Sequence, residues 1–428
     1  MNLTSTQSCR DKIYRDLQQC RMKTMALFAD IDDASFRGQS HPEFSPVGWH
    51  LGHIGMTEGY WILEQLAGLP QLYPEYRQLF AADGLPKCDR GSGVPSFPEV
   101  GDILNSIRTK VFTYLETAPV DSQERLWCFI IQHESMHNET IALVLQMQNL
   151  AHPLRMRRGE QSSYKLPCQI TNGHPVAASQ IEIPAGEFDM GNNAIDAMDN
   201  ERPAHRVYLH TYWIDRYPVT CREYRKFITD GGYQNESWWS VDGWRWLQEN
   251  PVVQPLYWNN SPEWKNHPVC GVSWYEADAY ARYVGKRLPT EAEWEKAASW
   301  DAAAGRSRTY PWGEEMPSGK QCNCDGIVGQ TTPVNAASAG QSAYGMEDAL
   351  GNVWEWTGSW FDGYEGFAWY PYRGYSQAYF DNQHRVIKGA SWATRPWAMR
   401  ASFRNWYHPG VRQILAGFRC ASSQPQYL

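Results

Sequence analysis

Residues 126–147 read LWCFIIQHESMHNETIALVLQM, and their apolar side chains recur at intervals of three and four. This spacing places apolar side chains on one face of an amphipathic helix. The pattern covers residues 121–150, and similar patterns cover residues 11–33, 47–66 and 97–115. Ser45 and Pro46 begin the second of these as a possible cap and first-turn proline. Helices of this number and length, joined by loops, predict a four-helix bundle in the N-terminal part of the chain.

The sequence changes in character after this bundle. Residues 155–173 are polar and predict a linker, and residues 181–191 and 207–215 alternate between apolar and polar side chains, as strands do. Short helices are predicted at residues 220–230, 273–284 and 290–299, and a loop-rich region follows. The predicted fold is therefore α plus α+β, with domains at residues 1–160 and 178–428 and a linker at 161–177.

Composition excludes several classes of protein. The 428 residues include 39 Lys and Arg against 47 Asp and Glu, a net charge of −8, so we expect no electrostatic binding to nucleic acid. No apolar run approaches the roughly 20 residues of a membrane helix, and no secretory signal pattern is present, so we expect a cytoplasmic protein without a membrane partner. The ten cysteines include no C-x-x-C pair, which argues against a zinc ribbon or a redox motif.

His133 and His137 lie four residues apart in the last predicted helix, so their imidazoles share one face and can reach a single metal ion. The pattern H-E-x-x-H is also the zinc metalloprotease signature, in which Glu134 would be the general base. An extended protease motif would need Gly and His where this chain has Thr140 and Leu143. From these residues alone, a metal site and two structural histidines are both open interpretations, and the distant Glu160 is a possible further ligand.

The second predicted helix contains WHLGHIG at residues 49–55, with His50 and His53 three residues apart. Helix bundles commonly build metal sites from side chains on facing helices. One of these two histidines, together with the pair in the last helix, would bind one side of an ion and leave other positions open for catalysis. Imidazole suits zinc, copper, iron and nickel alike, so the ligand type does not select the metal.

These two segments resemble the DinB-like bundle of the ergothioneine-type sulfoxide synthases, a family of non-heme iron enzymes. Their W-x-L-x-H-I segment matches residues 49–54 here, and their H-E-x-x-H-x-E-T segment matches residues 133–140. The resemblance implies that His53, His133 and His137 bind Fe(2+). It makes His50 a neighbour in the helix that is either structural or in contact with a ligand, instead of a ligand itself.

The C-terminal part independently resembles the formylglycine-generating-enzyme (sulfatase-modifying) fold, which is related to C-type lectin-like domains. The matching motifs lie, in the same order, at residues 183–191, 289–295, 351–357 and 417–419. In formylglycine-generating enzymes, two cysteines after a G-G-S-[YW] segment bind copper. Thr394 and Met399 stand at those places here, so formylglycine formation is not expected.

The resemblance to the sulfoxide synthases also implies a reaction. It predicts an iron- and O2-dependent enzyme that joins the sulfur of cysteine, or of a related thiol, to the imidazole C2 of hercynine as a sulfoxide. By alignment, Tyr375 is the catalytic phenol and Tyr372 a near rival. The same alignment assigns Asn405 to the substrate imidazole and Trp406 to its trimethylammonium group, and Met136 replaces a Gln that contacts the imidazole in some members.

The sulfur donor is predicted from a departure from the family pattern. Members that use γ-glutamylcysteine carry an acid and an Arg where this chain has Tyr407 and Val411, although Arg412 is adjacent. Tyr407 and Arg412 are therefore candidate contacts of the sulfur donor. Without that charged pair the amino acid head group of the larger donor would be buried unpaired, so free cysteine is the better expectation. Arg90 is a candidate partner for the donor carboxylate, and a solvated surface Arg is the alternative interpretation.

Several other functions stay open at this point. Within the family they are the same reaction with γ-glutamylcysteine, an ovothiol-type synthase acting at C5 of histidine, and a selenoneine synthase. Outside it they are a zinc-dependent HExxH hydrolase and a non-catalytic lectin-like binding module. The hydrolase would use Glu134 as a base without O2, and the binding module would tolerate loss of the three histidines.

Overall fold

A computed structural model describes residues 3–151 and 180–425 of the chain. Its contacts divide the chain into two compact units, residues 1–159 and residues 160–428. The predicted linker at 161–177 lies outside the described residues, so the domain boundaries at 160 and 178 stay predictions. Within the described residues no helix combines the length and the apolarity needed to span a membrane. The cytoplasmic location also stays a prediction.

The first unit is a helical bundle, as the periodicity predicts. Its helices are α1 (Leu3–Ala26), α2 (Asp33–Arg37), α3 (Val47–Glu58), α4 (Arg77–Phe80), α5 (Phe97–Leu115) and α6 (Val120–Ala151). The long α1 packs on α6, and α3 packs on both α5 and α6. Because α3 continues into a π-helix at Gly59–Leu66, the four long segments correspond to the four predicted helices.

Two predicted helix starts and ends differ from the structure. The helix predicted over residues 11–33 ends at Ala26, and Asp32 then caps α2 by accepting a hydrogen bond from the Ser35 amide at 2.7 Å. Ser45 does not cap α3, because its Oγ accepts a hydrogen bond from Arg90 Nη1 at 2.8 Å. Local spacing cannot show that a side chain 45 positions away takes the capping hydroxyl.

Glycines on α3 allow this helix to approach its neighbours closely. A Cβ at Gly52 would lie 2.1 Å from the Phe80 ring, and a Cβ at Gly55 would lie 2.8 Å from a methyl group of Leu104. Both distances are shorter than any van der Waals contact between carbon atoms. The close approach brings the end of α4 against the face of α3 that carries His53.

The second unit combines short helices with small sheets. Its helices are α7 (Cys221–Thr229), α8 (Val241–Glu249), α9 (Trp274–Tyr283) and α10 (Glu291–Ser299). Its strands are β1 (Gln180–Ile183), β2 (Gly186–Met190), β3 (His205–Leu209), β4 (Tyr212–Asp215), β5 (Trp300–Asp301), β6 (Arg306–Ser307), β7 (Trp354–Trp360), β8 (Arg385–Gly389), β9 (Asn405–Tyr407), β10 (Ala416–Gly417) and β11 (Ala421–Ser422). This mixture of elements confirms the predicted α+β class.

The helices predicted at residues 220–230, 273–284 and 290–299 are confirmed as α7, α9 and α10. Each has a capping box, in which Thr220, Ser273 or Thr290 accepts from the amide of a Glu three residues later. The structure adds α8, which the sequence analysis did not predict. That helix has only two buried positions, Gly243 and Leu247, too few for a clear apolar period.

Each long predicted strand is two strands in the structure. The segment at 181–191 breaks into β1 and β2 around Pro184 and Ala185, and the segment at 207–215 breaks into β3 and β4. In the resulting pairs, β1 lies antiparallel to β4 and β2 antiparallel to β3. Proline supplies no amide hydrogen for pairing, and Gly186 has a φ of +145°, so the chain bends between two sheets.

The sheets are short, and buried ion pairs connect their strands to neighbouring segments of the unit. One has the strand order β1-β4-β11 and another the order β10-β7-β8-β9. Arg419 donates from Nε to Glu355 at 2.6 Å, and neither side chain is exposed. Lys388 similarly pairs with Glu295 at 2.8 Å. These buried charges lie in or beside the sequence motifs, which explains why those motifs contain charged residues within a loop-rich core.

The cysteines of residues 3–151 and 180–425 are free thiols. Cys322 and Cys324, which are two positions apart, are both buried. The hydrogen bond with Cys324 and then burial raise the pKa of Cys322 well above its ordinary value. The pair therefore belongs to the interior of the second unit.

Candidate metal and substrate site

Three histidines converge between α3 and α6 in the first unit. One potential ligand atom from each of His53, His133 and His137 lies within 4.8 Å of the others. The His53 Nε2 and His133 Nε2 atoms are 3.2 Å apart. His53 and His133 are buried, and His137 is partly exposed, so the cluster has one accessible side.

His53 is fixed by the end of α4. Its Nδ1 donates a hydrogen bond of 2.6 Å to the Phe80 carbonyl. The proton on Nδ1 leaves Nε2 with a free lone pair, which is the form that binds a metal. Trp49 stacks on the same ring at 4.7 Å between centroids, and its own Nε1 donates to the Leu79 carbonyl at 2.6 Å.

The cluster consists of neutral imidazoles at neutral pH. Burial, opposed by the hydrogen bond to the Phe80 carbonyl and assisted by the nearby Arg90, lowers the pKa of His53 to about 4. Burial also lowers the pKa of His133 and His137 well below the ordinary value, with neighbouring histidines adding to the effect. Metal binding requires the unprotonated ring, so no proton has to leave before an ion binds.

The distance between two of these nitrogens fits a divalent transition metal. Bonds of about 2.1 Å at angles between 90° and 109° place ligand nitrogens roughly 3.0–3.4 Å apart. The separation of 3.2 Å between His53 Nε2 and His133 Nε2 falls in this range. A trio of nitrogens occupies one side of an ion and leaves positions for small molecules, as the sequence analysis predicts.

Glu134 faces away from this cluster into a buried charge network. It accepts hydrogen bonds from Arg21 Nε and Arg108 Nη2, both at 2.9 Å, and from Thr24 Oγ1 at 2.6 Å. Glu58 shares the two arginines. Although burial raises the pKa of Glu134, the arginines hold it at about 2. A carboxylate so weakly basic and so fully hydrogen-bonded does not fit the role of general base in a zinc hydrolase.

The other H-E-x-x-H features also differ from a protease. Leu143, at the position of the third protease ligand, is buried in the bundle core. Glu160 lies outside the described residues. Met136 precedes His137 on α6 and is partly exposed, so it lies on the accessible part of the helix.

The predicted catalytic and substrate residues of the second unit form an aromatic cluster. Tyr375 is 8% exposed, and its ring centroid lies 6.0 Å from that of Trp406 and 6.4 Å from that of Tyr372. Phe361 stacks on Trp406 at 4.1 Å with an angle of 7°, and Tyr379 lies 5.4 Å from it. Phe361 therefore covers one face of the Trp406 indole, and Trp406 as a whole is partly exposed.

Burial raises the pKa of Tyr375 well above its ordinary value, and the Asp199 carboxylate and Tyr372 raise it further. The phenol is therefore protonated at neutral pH. Asn405 begins β9, and its Oδ1 accepts a hydrogen bond from the Trp406 amide at 2.8 Å, which leaves its NH2 group as the donor of the side chain. Tyr407, at the end of β9, is partly exposed.

Asp199 holds the loop that carries these tyrosines. Its Oδ1 accepts from Ser376 Oγ at 2.5 Å, and its Oδ2 accepts from the Tyr370 amide at 3.1 Å. Asn200 Nδ2 also donates to Ser376 Oγ at 3.0 Å. The sequence analysis missed Asp199, Phe80 and Phe361. The acidic run Asp199-Asn-Glu201 was a visible signal for the first, whereas a carbonyl or an apolar ring far along the chain gives none.

The two arginines proposed for the sulfur donor have partners within the protein. Arg90 is buried, not solvated: it donates to Ser45 Oγ, Ala82 O and Leu85 O, and its guanidinium lies 4.0 Å over the Trp49 ring. The alternative of a surface Arg is therefore wrong. The described contacts favour a structural role for this side chain, which attaches the loop before α5 to the start of α3.

Arg412 is paired inside the second unit. Its Nε donates to Glu276 Oε2 at 2.8 Å, and its Nη2 donates to Glu276 Oε1 at 3.1 Å and to the Gln254 carbonyl. Breaking a buried pair of this kind leaves an uncompensated charge. The structure thus gives Arg412 a structural partner and does not support its predicted role at a substrate carboxylate.

The chain matches two known protein families. Residues 16–141 match the DinB superfamily, and residues 170–424 match the sulfatase-modifying factor enzyme 1-like domain. These matches correspond to the two resemblances found in the sequence. The positions of the copper cysteines hold Thr394 and Met399, both buried, and Thr394 Oγ1 accepts from the Ser391 amide at 2.8 Å.

Two relatives that match this chain over nearly its full length are hercynine oxygenases. A hercynine oxygenase of Mycolicibacterium smegmatis is 38% identical over 96% of this chain and 99% of its own. That of Mycobacterium tuberculosis is 38% identical over 95% of this chain and 97% of its own. An inactive C-alpha-formylglycine-generating enzyme 2 of Mus musculus is 33% identical over 59% of this chain and 88% of its own. The chain therefore belongs to the hercynine oxygenase family of ergothioneine-type sulfoxide synthases, with a DinB-like bundle followed by a sulfatase-modifying factor enzyme 1-like domain.

Proposed function

We propose that this protein is an iron(II)- and O2-dependent hercynine sulfoxide synthase that forms a C–S bond between cysteine and the imidazole C2 of hercynine. The single observation that carries the proposal is the cluster of His53, His133 and His137, with ligand atoms within 4.8 Å of one another. It lies in a chain 38% identical to a hercynine oxygenase over nearly its full length. The structural role of Glu134 and the similarity to hercynine oxygenases support a redox metal enzyme over a zinc hydrolase.

His53, His133 and His137 would hold the iron in this proposal. When bound, iron(II) would supply redox chemistry with O2 and a positive charge that keeps a bound thiol ionised. The protein's own contribution is a fixed ligand face. The bonds of His53 to Phe80 and of Trp49 to Leu79 hold one ring in place before any ion binds, which reduces the reorganisation needed on binding.

Asn405 and Trp406 are proposed to bind hercynine. The Asn405 NH2 group is a donor suited to an imidazole nitrogen, because its Oδ1 is already occupied by the Trp406 amide. Phe361 covers one face of the indole, so a trimethylammonium group would pack on the other face. Such a cation–π contact contributes about 2 kcal/mol when it is desolvated. The partly exposed Met136 would contribute an apolar contact in place of a Gln.

Tyr375 is proposed as the proton donor of the reaction, with Tyr372 as the alternative. Its raised pKa keeps the phenol protonated at neutral pH, and the Asp199 contacts with Ser376 and Tyr370 restrict the loop that carries it. A restricted, protonated phenol is suited to steering the reaction towards C–S bond formation instead of oxidation of the thiol alone.

Cysteine is the proposed sulfur donor. Tyr407 and the buried Val411 supply no charge for the head group of γ-glutamylcysteine, and Arg412 is paired with Glu276. A second amino acid head group would therefore lack a partner in this segment. Because Arg90 already donates to three oxygens of the first unit, the proposal does not depend on it.

Mass spectrometry of the reaction products tests the proposal. The full-length protein is loaded with iron anaerobically, then mixed with O2, hercynine or histidine, and cysteine, γ-glutamylcysteine or a selenium donor. We expect a thiol-dependent sulfoxide at C2 of hercynine, with cysteine the preferred donor and O2 consumed. Failure of every pair to give a C–S product would refute the synthase, and peptide hydrolysis by the zinc-loaded protein without O2 uptake would point to the hydrolase.

A further inference from the structure

His50 makes a contact that the proposed metal centre does not require. It lies one turn before His53 on α3, and its Nδ1 is 2.9 Å from the Nδ1 of His137. The His50 side chain is 6% exposed, and its Nε2 atom is buried without a hydrogen-bond partner among the described residues. Its ring packs edge-on against Trp49, with 5.2 Å between centroids.

The positions of the protons follow from this contact. Because the Nδ1 of His137 is occupied by His50, Nε2 is the nitrogen that remains for a metal ion. A ring that binds metal through Nε2 carries its proton on Nδ1. The His50 Nδ1 must then accept that proton as a hydrogen bond, and its own proton resides on Nε2.

Packing alone does not explain a histidine at position 50, because burying its polar ring costs free energy. A buried N–H group without a partner costs about 1–3 kcal/mol. An apolar side chain of similar volume would fill the same space without this cost. The bond to His137 is the contact that only a polar side chain at this position can provide, and it distinguishes His50 from an ordinary core residue.

We propose that His50 is a positioning residue for the metal centre: it fixes the tautomer and the ring orientation of His137 by accepting a hydrogen bond from its Nδ1. This inference rests on the proposed function, in which His137 is a metal ligand. The two ligands then have different acceptors, the Phe80 carbonyl for His53 and a neutral imidazole for His137. A neutral acceptor adds no negative charge, so the ion keeps its full charge for the substrates.

Cobalt(II) binding to the full-length apoprotein tests this role without relying on activity. His50→Leu removes the acceptor at similar volume, and His50→Asn retains one, because the Asn Oδ1 lies near the place of the His Nδ1. Loss of a partner of this kind typically weakens metal binding about 10–100-fold. We expect that loss, and an altered visible absorption of bound cobalt, in His50→Leu, with most of the affinity and the spectrum restored in His50→Asn.

His41→Leu is the matched control, because His41 lies in the same unit outside the cluster and is expected to leave cobalt binding unchanged. Thermal unfolding of each apoprotein identifies a variant that fails to fold, and His50→Asn then carries the comparison with the wild type. If the wild type binds no cobalt, the metal centre itself is refuted. If it binds cobalt and His50→Leu matches its affinity and spectrum, or if His50→Asn is as weak as His50→Leu, only the positioning role is refuted.

Discussion

At the scale of single residues, the histidines and the glutamate of the H-E-x-x-H motif have different surroundings. His133 and His137 face α3 and the candidate metal centre, whereas Glu134 faces Arg21 and Arg108 in the bundle interior. Adjacent positions on a helix point in different directions, so one motif can serve both a site and a core. The sequence motif alone is compatible with a hydrolase, and the contacts of Glu134 decide against that interpretation.

Glu134→Gln is expected to destabilise the first unit by about 3–5 kcal/mol at neutral pH, because two buried arginines lose a shared carboxylate. The folded pKa of about 2 lies below the ordinary value of 4.5. The carboxylate therefore stabilises the fold above about pH 4.5, and this contribution disappears as the pH falls towards 2. Urea unfolding across this range should show the difference between wild type and variant shrinking with acidity.

The control for this experiment is Glu116→Gln, at the exposed end of α5. Surface substitutions of this kind usually change stability by less than about 0.5 kcal/mol. Equal losses in the two variants, or a loss in Glu134→Gln that is the same at pH 3 and pH 7, would contradict the proposed network.

Tyr375→Phe tests the assignment of the phenol. The ring and its packing against Trp406 remain, and only the hydroxyl group is lost. We expect a higher ratio of cysteine sulfinate to sulfoxide product, measured by mass spectrometry, because the proton donor is absent. Tyr379→Phe, beside the same indole, is the control and should keep the wild-type ratio. If Tyr375→Phe and Tyr372→Phe both keep it as well, neither phenol has the proposed role.

At the scale of secondary-structure elements, the geometry of α3 and α4 sets the metal centre. The absence of a side chain at Gly52 allows Phe80, at the end of α4, to pack against α3. The carbonyl of the same residue then reaches His53 Nδ1. A glycine inside a helix costs about 1 kcal/mol relative to alanine, and here that cost is offset by the position it gives to a ligand.

Gly52→Ala is therefore expected to weaken both folding and metal binding. The added Cβ would lie 2.1 Å from the buried Phe80 ring, and overpacking of this kind costs about 1–3 kcal/mol. Displacement of Phe80 also moves the acceptor of His53, which should weaken cobalt(II) binding about 10-fold, as measured by competition with a chelator.

Gly101→Ala is the matched control on α5, where no atom lies within 4 Å of the added Cβ. It should stabilise the helix by up to about 1 kcal/mol through propensity and leave metal binding unchanged. Equal effects of the two substitutions would mean that contact with Phe80 is not the reason for Gly52.

At the scale of the whole molecule, the chain places different chemistry in its two units. The first unit holds the histidine cluster in a helical bundle, and the second holds the aromatic cluster of Tyr375, Trp406 and Phe361 on a loop-rich α+β fold. The second fold is stabilised by buried ion pairs such as Arg419 with Glu355. Of the 21 tryptophans, only Trp49, Trp61 and Trp127 precede residue 200, so most of the aromatic excess belongs to this second core.

The sequence by itself determined the class of each unit and, through the family motifs, predicted which three histidines form the cluster. Helical periodicity, capping residues such as Thr220 and Thr290, and the spacing of His133 and His137 are local properties, so they can be read without knowing which segments meet. The family motifs supported the α+β fold of the second unit. Their charged residues form buried ion pairs in the structure.

Only the tertiary structure decided what lies around those residues. Hydrogen bonds between distant segments joined Arg90 to Ser45 and Arg412 to Glu276, placed the Phe80 carbonyl on His53 and brought His50 to His137. Each of these contacts joins groups at least 27 positions apart, and neither residue type nor local spacing identifies the partner. The direction of a buried polar group depends on which element packs against it, and that is decided when the whole unit folds.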